Sequence, residues 1–198
     1  LQSIYIMNMK KYIPALLILL ISFSALNAQG LDIPDPPVLQ YASVIPGSSP
    51  AKVELSWQAS DSADVEGYII YEVVGGITQQ FDTVYGRLTT IYNHNNSGAD
   101  VESKTYRMAA FDTLDNLSRL TDPHKTIFST LDYEICDLEI TLSWSAYEGW
   151  ASVSNYNIYR SLAGGTYQKI GSVNGSTTSF TDDTPGEFSN YDYYVEAE

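Results

Sequence analysis

The sequence predicts an all-β protein of two tandem β-sandwich modules. Three observations carry that reading: the composition, the lack of an amphipathic helical stripe beyond the first thirty residues, and an internal repeat of strand-like blocks. Aromatics reach 13% of 198 residues, with 16 Tyr and 3 Trp, while Asp, Glu, Lys and Arg together reach only 17%. Tyrosine and β-branched residues at this level suit pleated, half-buried surfaces better than helices. No later segment carries an apolar stripe of period 3.6.

The repeat decides the architecture. Val53-Glu54-Leu55-Ser56-Trp57 matches Ile140-Thr141-Leu142-Ser143-Trp144 at an offset of 87, and Tyr68-Ile69-Ile70-Tyr71 matches Tyr156-Asn157-Ile158-Tyr159 at 88. Gly75-Gly76 answers Gly164-Gly165, and Thr89 to Tyr92 answers Thr177 to Phe180. Tyr106 to Ala110 matches Tyr193 to Ala197, again at 87. Each block alternates apolar and polar residues, as a strand with one buried face requires. Turn signals stand between blocks at Gly75-Gly76, Tyr85-Gly86, Asn95 to Gly98, Asp115-Asn116, Gly164-Gly165 and Asn174-Gly175. Short strands with turns every eight to twelve residues point to sandwiches. Trp57, Tyr68 and Tyr106 are the expected core anchors of the first module, and Trp144, Tyr156 and Tyr193 those of the second.

The N-terminal segment reads as a secretory signal rather than as fold. Met7 to Lys11 is a short cationic start, Ile13 to Leu26 is almost wholly apolar, and small or polar residues follow at Ala25, Asn27, Ala28 and Gln29. That is the order of a signal peptide. A membrane anchor is the weaker alternative, because a span needs about 20 apolar residues and Pro14, Ser22 and Ser24 interrupt this shorter run. The expected layout is a signal peptide over 1–28, with 1–6 lying ahead of the first Met. A linker over 29–35, one module over 36–130 and a second over 131–198 follow. Prolines 34, 36, 37 and 46 mark the linker and first edge strand. By the repeat, the second module stops at its sixth strand, and its last strand is expected within roughly twenty residues past Glu198.

Cleavage after Ala28 leaves 8 basic residues against 24 acidic ones, a net charge of −16. Such a chain lacks the basic stripe that nucleic-acid binding needs, so nucleic acid is excluded as a partner. The mature chain carries no membrane span. A lone cysteine, Cys136, cannot form an internal disulfide. It reads as a small buried strand residue, the alternative being a bond to another chain or to a cysteine outside this sequence.

The blocks resemble a known family. Leu-Ser-Trp, then Gly67-Tyr68-x-Ile70-Tyr71, then Tyr-x-Met/Val-x-Ala are similar to the B, C and F strands of fibronectin type III domains. Phe111 to Ser118 resembles the F–G hairpin of bacterial members, with Asp115 where those often have Gly, so a different turn type is expected. Module two is similar to a narrower group, through Cys136-x-x-x-Ile140-x-Leu142-Ser143-Trp144-x-x-Tyr147-Glu148-Gly149-Trp150. That group belongs to large surface proteins of gliding, Bacteroidota-type bacteria, associated with gliding motility or type IX secretion. The resemblance implies a second Cys on the F strand, where this chain has Asp192.

No catalytic apparatus is legible. His94, read as part of the polar Asn93 to Gly98 turn, and His124 both read as solvated loop or edge histidines without metal-ligand spacing. No Gly-x-Ser-x-Gly, phosphate-binding loop or His-Glu-x-x-His motif is present. No cofactor or metal is expected. Asp112 with Asp115 and Asn116, and Asp182 with Asp183, have oxygens suited to Ca²⁺, but turns require the same residues for their own backbone bonds. Asp61-Ser62-Ala63, Asp82-Thr83-Val84 and Asp112-Thr113-Leu114 resemble a Bacteroidota O-glycosylation pattern. Tyr147, Trp150 and Phe188 are candidates for an aromatic ligand platform; alternatively Tyr147 and Trp150 cover the open end of the core. The expectation is a non-catalytic exported spacer of a larger surface or secreted protein. The alternative is an adhesive or carbohydrate-binding module, possible partners being a protein or glycan at the cell surface, or an accessory to a secreted hydrolase.

Overall fold

A computed structural model describes residues 32–134, 138–162, 164–186 and 190–198. The expected leader, Cys136 and Phe188 lie outside them. All regular structure among the described residues is β. The first module pairs β1 (Val38–Val44), β2 (Lys52–Gln58) and β5 (Ile91–Asn95) in the order β1-β2-β5. Its second sheet takes β3 (Val65–Val74), β4 (Ile77–Tyr85), β6 (Thr105–Asp112) and β7 (His124–Lys125) in the order β4-β3-β6-β7. The second module repeats the plan. β8 (Ser129–Glu134), β9 (Glu139–Trp144) and β12 (Ser179–Asp182) are ordered β12-β9-β8, and β10 (Asn155–Leu162), β11 (Gln168–Asn174) and β13 (Tyr191–Ala197) are ordered β11-β10-β13. Every pairing is antiparallel. Two tandem fibronectin type III-like sandwiches result, the second with six strands among the described residues.

Alternation places the cores. Val53, Leu55 and Trp57 of β2 face Tyr68 and Ile70 of β3 and Tyr106, Met108 and Ala110 of β6, all buried. In module two Leu142, Trp144, Tyr156 and Ile158 are buried, with Tyr193, Val195 and Ala197 partly buried against them. The aromatic pairing is copied between modules. Trp57 meets Tyr68 edge-on at 5.4 Å and 69°, and Trp144 meets Tyr156 at 5.5 Å and 66°. Each tyrosine hydroxyl also accepts a backbone N–H from the loop after the Trp strand, from Ser60 at 3.0 Å and from Tyr147 at 2.9 Å. The edge-on ring pair adds about 0.5–1.5 kcal/mol to burial.

Local chemistry sets the turns. Val74 pairs with Ile77, so Gly75 and Gly76 are a two-residue hairpin loop, with φ of 60° and 82°. Positive φ at both positions is the twist-matched turn that glycine allows. Asp115 also has positive φ, 63°. The F–G turn therefore keeps the left-handed residue that a glycine would supply, held by Asp112. That carboxylate accepts the N–H of Leu114, the N–H of Asn116 and the Asn116 Nδ2, each at 2.8 Å.

Both histidines depart from the sequence expectation. His94 lies on β5, opposite Val53, and is 8% exposed. Its ring packs on Phe81 at 4.1 Å, and its Nδ1 meets the Tyr106 hydroxyl at 2.7 Å. His124, on β7, is 4% exposed. Neither is solvated, because each has an aromatic hydroxyl that satisfies its polar edge inside the fold.

Candidate functional site: the joint between the modules

The loop after β9 is the place where module two departs from module one. The offset between equivalent residues grows from 87 to 88 across it, an insertion of one residue. Where module one has Ser60, module two has Tyr147, followed by Glu148, Gly149 and Trp150. These side chains reach back to the first module. The Tyr147 hydroxyl accepts the N–H of Ala42 at 3.2 Å and meets Nδ1 of His124 at 2.8 Å. The Trp150 indole N–H donates to the carbonyl of Gln40 at 2.7 Å, and its ring lies 4.5 Å from that of Tyr147.

Backbone bonds close the joint. The N–H of Lys125 donates to the carbonyl of Glu148 at 2.9 Å, and the two side chains form an ion pair at 2.8 Å. Both ends of that pair are part-exposed, so it adds little on its own. Next in the chain is Gly149, with φ of 130° and its α-carbon against the His124 ring. A Cβ there would collide with the imidazole, so the position needs glycine both for conformation and for close approach. Four consecutive residues of one module thus bear on β1 and β7 of the other.

The electrostatics follow from burial. Burial pushes the Tyr147 hydroxyl up to about 12. It also pushes His124 below the usual imidazole value, against an opposing pull from the Asp122 carboxylate. The Tyr147 hydroxyl and His124 Nδ1 share one hydrogen bond beside the one that the Tyr147 oxygen accepts from Ala42. Next to the joint is a groove of about 830 Å³, bordered by Tyr41, Glu54, Tyr147, Trp150 and residues of β13. Trp150 remains 39% exposed beside it.

The other sequence-predicted residues lie elsewhere. Trp57, Tyr68, Tyr106, Trp144 and Tyr156 are buried in the two cores, and Tyr193 is half-buried. Tyr193 donates to Asp182 at 2.8 Å, and Arg160 reaches the same carboxylate at 2.6 Å. Burial raises Asp182, but hydrogen bonds from Tyr193, Arg160 and Thr184 outweigh it and hold the carboxyl below its ordinary range. Asp182 is therefore an internal clasp, and Asp112 serves its turn. Among the described residues no group of three or more His, Cys, Asp or Glu could hold a metal. No helix among them is long and apolar enough to cross a membrane.

Sequence reasoning singled out Tyr147 and Trp150 but not Gln40, Ala42, His124 or Gly149 as their partners. The available signal was the offset change, which marks the loop without saying what it touches.

Strand order and internal repeat define a tandem fibronectin type III-like pair. No protein-family model matches the chain, and no curated protein matches it. Among solved structures it is similar to a two fibronectin type III domain segment from chicken tenascin, at 16% identity and a TM-score of 0.32, over 84% of this chain and 91% of that one.

Proposed function

We propose that this chain is a non-catalytic spacer: two modules, about 36–130 and 131–198, locked in fixed relation within a larger exported surface or secreted protein. The signal-like leader, with Gln29 as the expected first mature residue, supports export to the surface or medium, with the periplasm as the alternative. The resemblance of module two to gliding-associated modules supports a Bacteroidota-type surface setting. The observation that carries the reading is the joint. Tyr147 and Trp150, the residues best suited to a loop platform, spend their polar atoms on Ala42, His124 and Gln40. Tandem modules with few contacts move freely by default, and polar atoms committed across a joint restrain that motion.

One observation favours a second reading, in which the joint also takes a glycan: Trp150 keeps 39% of its surface exposed beside the groove. The two readings part on the Trp150→Ala variant, measured by small-angle scattering and by retention on polysaccharide columns. Loosened scattering with unchanged retention supports the spacer. Unchanged scattering with lost retention overturns it in favour of the binding module.

A further inference from the structure

The outer face of the β11-β10-β13 sheet carries a cluster that module one lacks. Alternation puts Asp192, Tyr194 and Glu196 on one face of β13. Tyr194 stands opposite Tyr159 of β10, and the rings stack at 4.5 Å and 11°. Tyr167 meets Tyr194 edge-on at 4.8 Å. Carboxylates border the rings: Glu196 accepts from the Tyr159 hydroxyl at 2.9 Å, and Asp192 from the N–H of Gly164 at 3.1 Å. The three tyrosines are half-exposed and both carboxylates exposed. Lys169, opposite Tyr159 on β11, is the strand cation on this face.

Module one shows what chemistry that position takes. There the cross-strand partner of Tyr71, the equivalent of Tyr159, is Arg107. The repeat thus sets an arginine opposite the tyrosine in one module, its Nε donating to the Thr121 carbonyl at 2.9 Å, and a second tyrosine flanked along the strand by two carboxylates in the other. A cross-strand tyrosine pair adds something to the sheet by itself, but that does not account for acids on both sides of it. Aromatic faces and carboxylates together attract guanidinium and ammonium groups.

We propose that this face docks an extended polypeptide segment bearing arginine or lysine at alternate positions. The spacing fits: Asp192 and Glu196 are about 13 Å apart along the strand, and alternate residues of an extended partner repeat at about 6.6 Å. Basic residues at i and i+4 reach the two carboxylates while the one at i+2 lies over the tyrosines. Tyr194 and Glu196 also border the groove beside the joint, but the hydrogen bonds of Tyr147 and Trp150 across the joint use neither of them, so this inference stands whether or not the spacer reading does.

The test is an NMR titration with an acetylated Arg-Thr-Arg-Thr-Arg amide at roughly physiological ionic strength. Saturable shifts confined to β10, β11 and β13 are expected. Tyr194→Arg, which installs module one's own residue, and Glu196→Gln should each weaken binding roughly tenfold. Glu66→Gln, the same charge change on module one, should leave it nearly unchanged. Absence of saturable shifts, or equal weakening by Glu66→Gln and Glu196→Gln, overturns the proposal, the latter because binding would then follow net charge alone.

Discussion

The Tyr147 hydroxyl shares a hydrogen bond with Nδ1 of His124 at 2.8 Å while accepting the N–H of Ala42 at 3.2 Å. One hydroxyl therefore ties the loop of module two to β1 and β7 of module one. Removing it leaves a buried ring nitrogen and a backbone donor without partners, which costs more than the bond alone. Tyr147→Phe should destabilise the chain by about 1–3 kcal/mol, read from its urea midpoint. No change in midpoint would mean that water serves both groups and the hydroxyl ties nothing.

Burial of the two histidines makes stability pH-dependent. Burial lowers His124 and His94 below the ordinary imidazole value. Between those lowered values and about 6.5 the unfolded chain binds more protons than the folded one, so stability rises with pH there. It should fall as the solution is acidified from about pH 6.5, and His124→Gln should remove part of the slope. A second loss belongs lower, where Asp182 and Asp112, both held below the carboxylate range, take up protons. A midpoint flat between about pH 7.5 and about pH 5.5 would contradict the histidine assignment.

Gly149 separates close approach from backbone conformation. Gly149→Ala places a methyl group on the His124 ring and also strains φ at 130°. Gly164→Ala meets only the milder strain of an ordinary left-handed residue, with φ of 74° and nothing nearby. The first should cost at least about 2 kcal/mol and the second roughly 1. Equal losses in thermal unfolding would show that loop and histidine are not in contact.

The core anchors act within their own modules. Trp57→Ala should cost about 3–5 kcal/mol, comparable to the stability of a small domain. Amide exchange should speed up through β1–β7 first, with β8–β13 following only as far as the joint couples them. Retained protection in module one would place Trp57 outside its core.

The sandwich pair was legible because its signals are local and repeated. Val53, Leu55 and Trp57 alternate on β2 as Ile140, Leu142 and Trp144 do on β9, and the tyrosines after them sit at matching offsets. The joint was not legible for the opposite reason. Tyr147 finds Ala42 at a separation of 105 residues and Trp150 finds Gln40 at 110, with no periodicity to announce either pairing. The histidines misled for a related reason. His94 sits among asparagines in sequence, yet its ring turns inward between Phe81 and Tyr106. At Asp115 the chain keeps the left-handed turn of a glycine by hydrogen bonding to Asp112, a substitution that sequence alone reads as a change of turn.

The central claim is that the joint holds the two modules as one body, and residual dipolar couplings test it most directly. Couplings from β1–β7 and from β8–β13 should fit a single alignment tensor in the native chain. They should separate into two tensors when Tyr147→Phe and Trp150→Ala are combined. Two tensors already in the native chain, with unequal magnitudes, would mean that the modules move independently and that the Tyr147–His124 and Trp150–Gln40 contacts do not lock them.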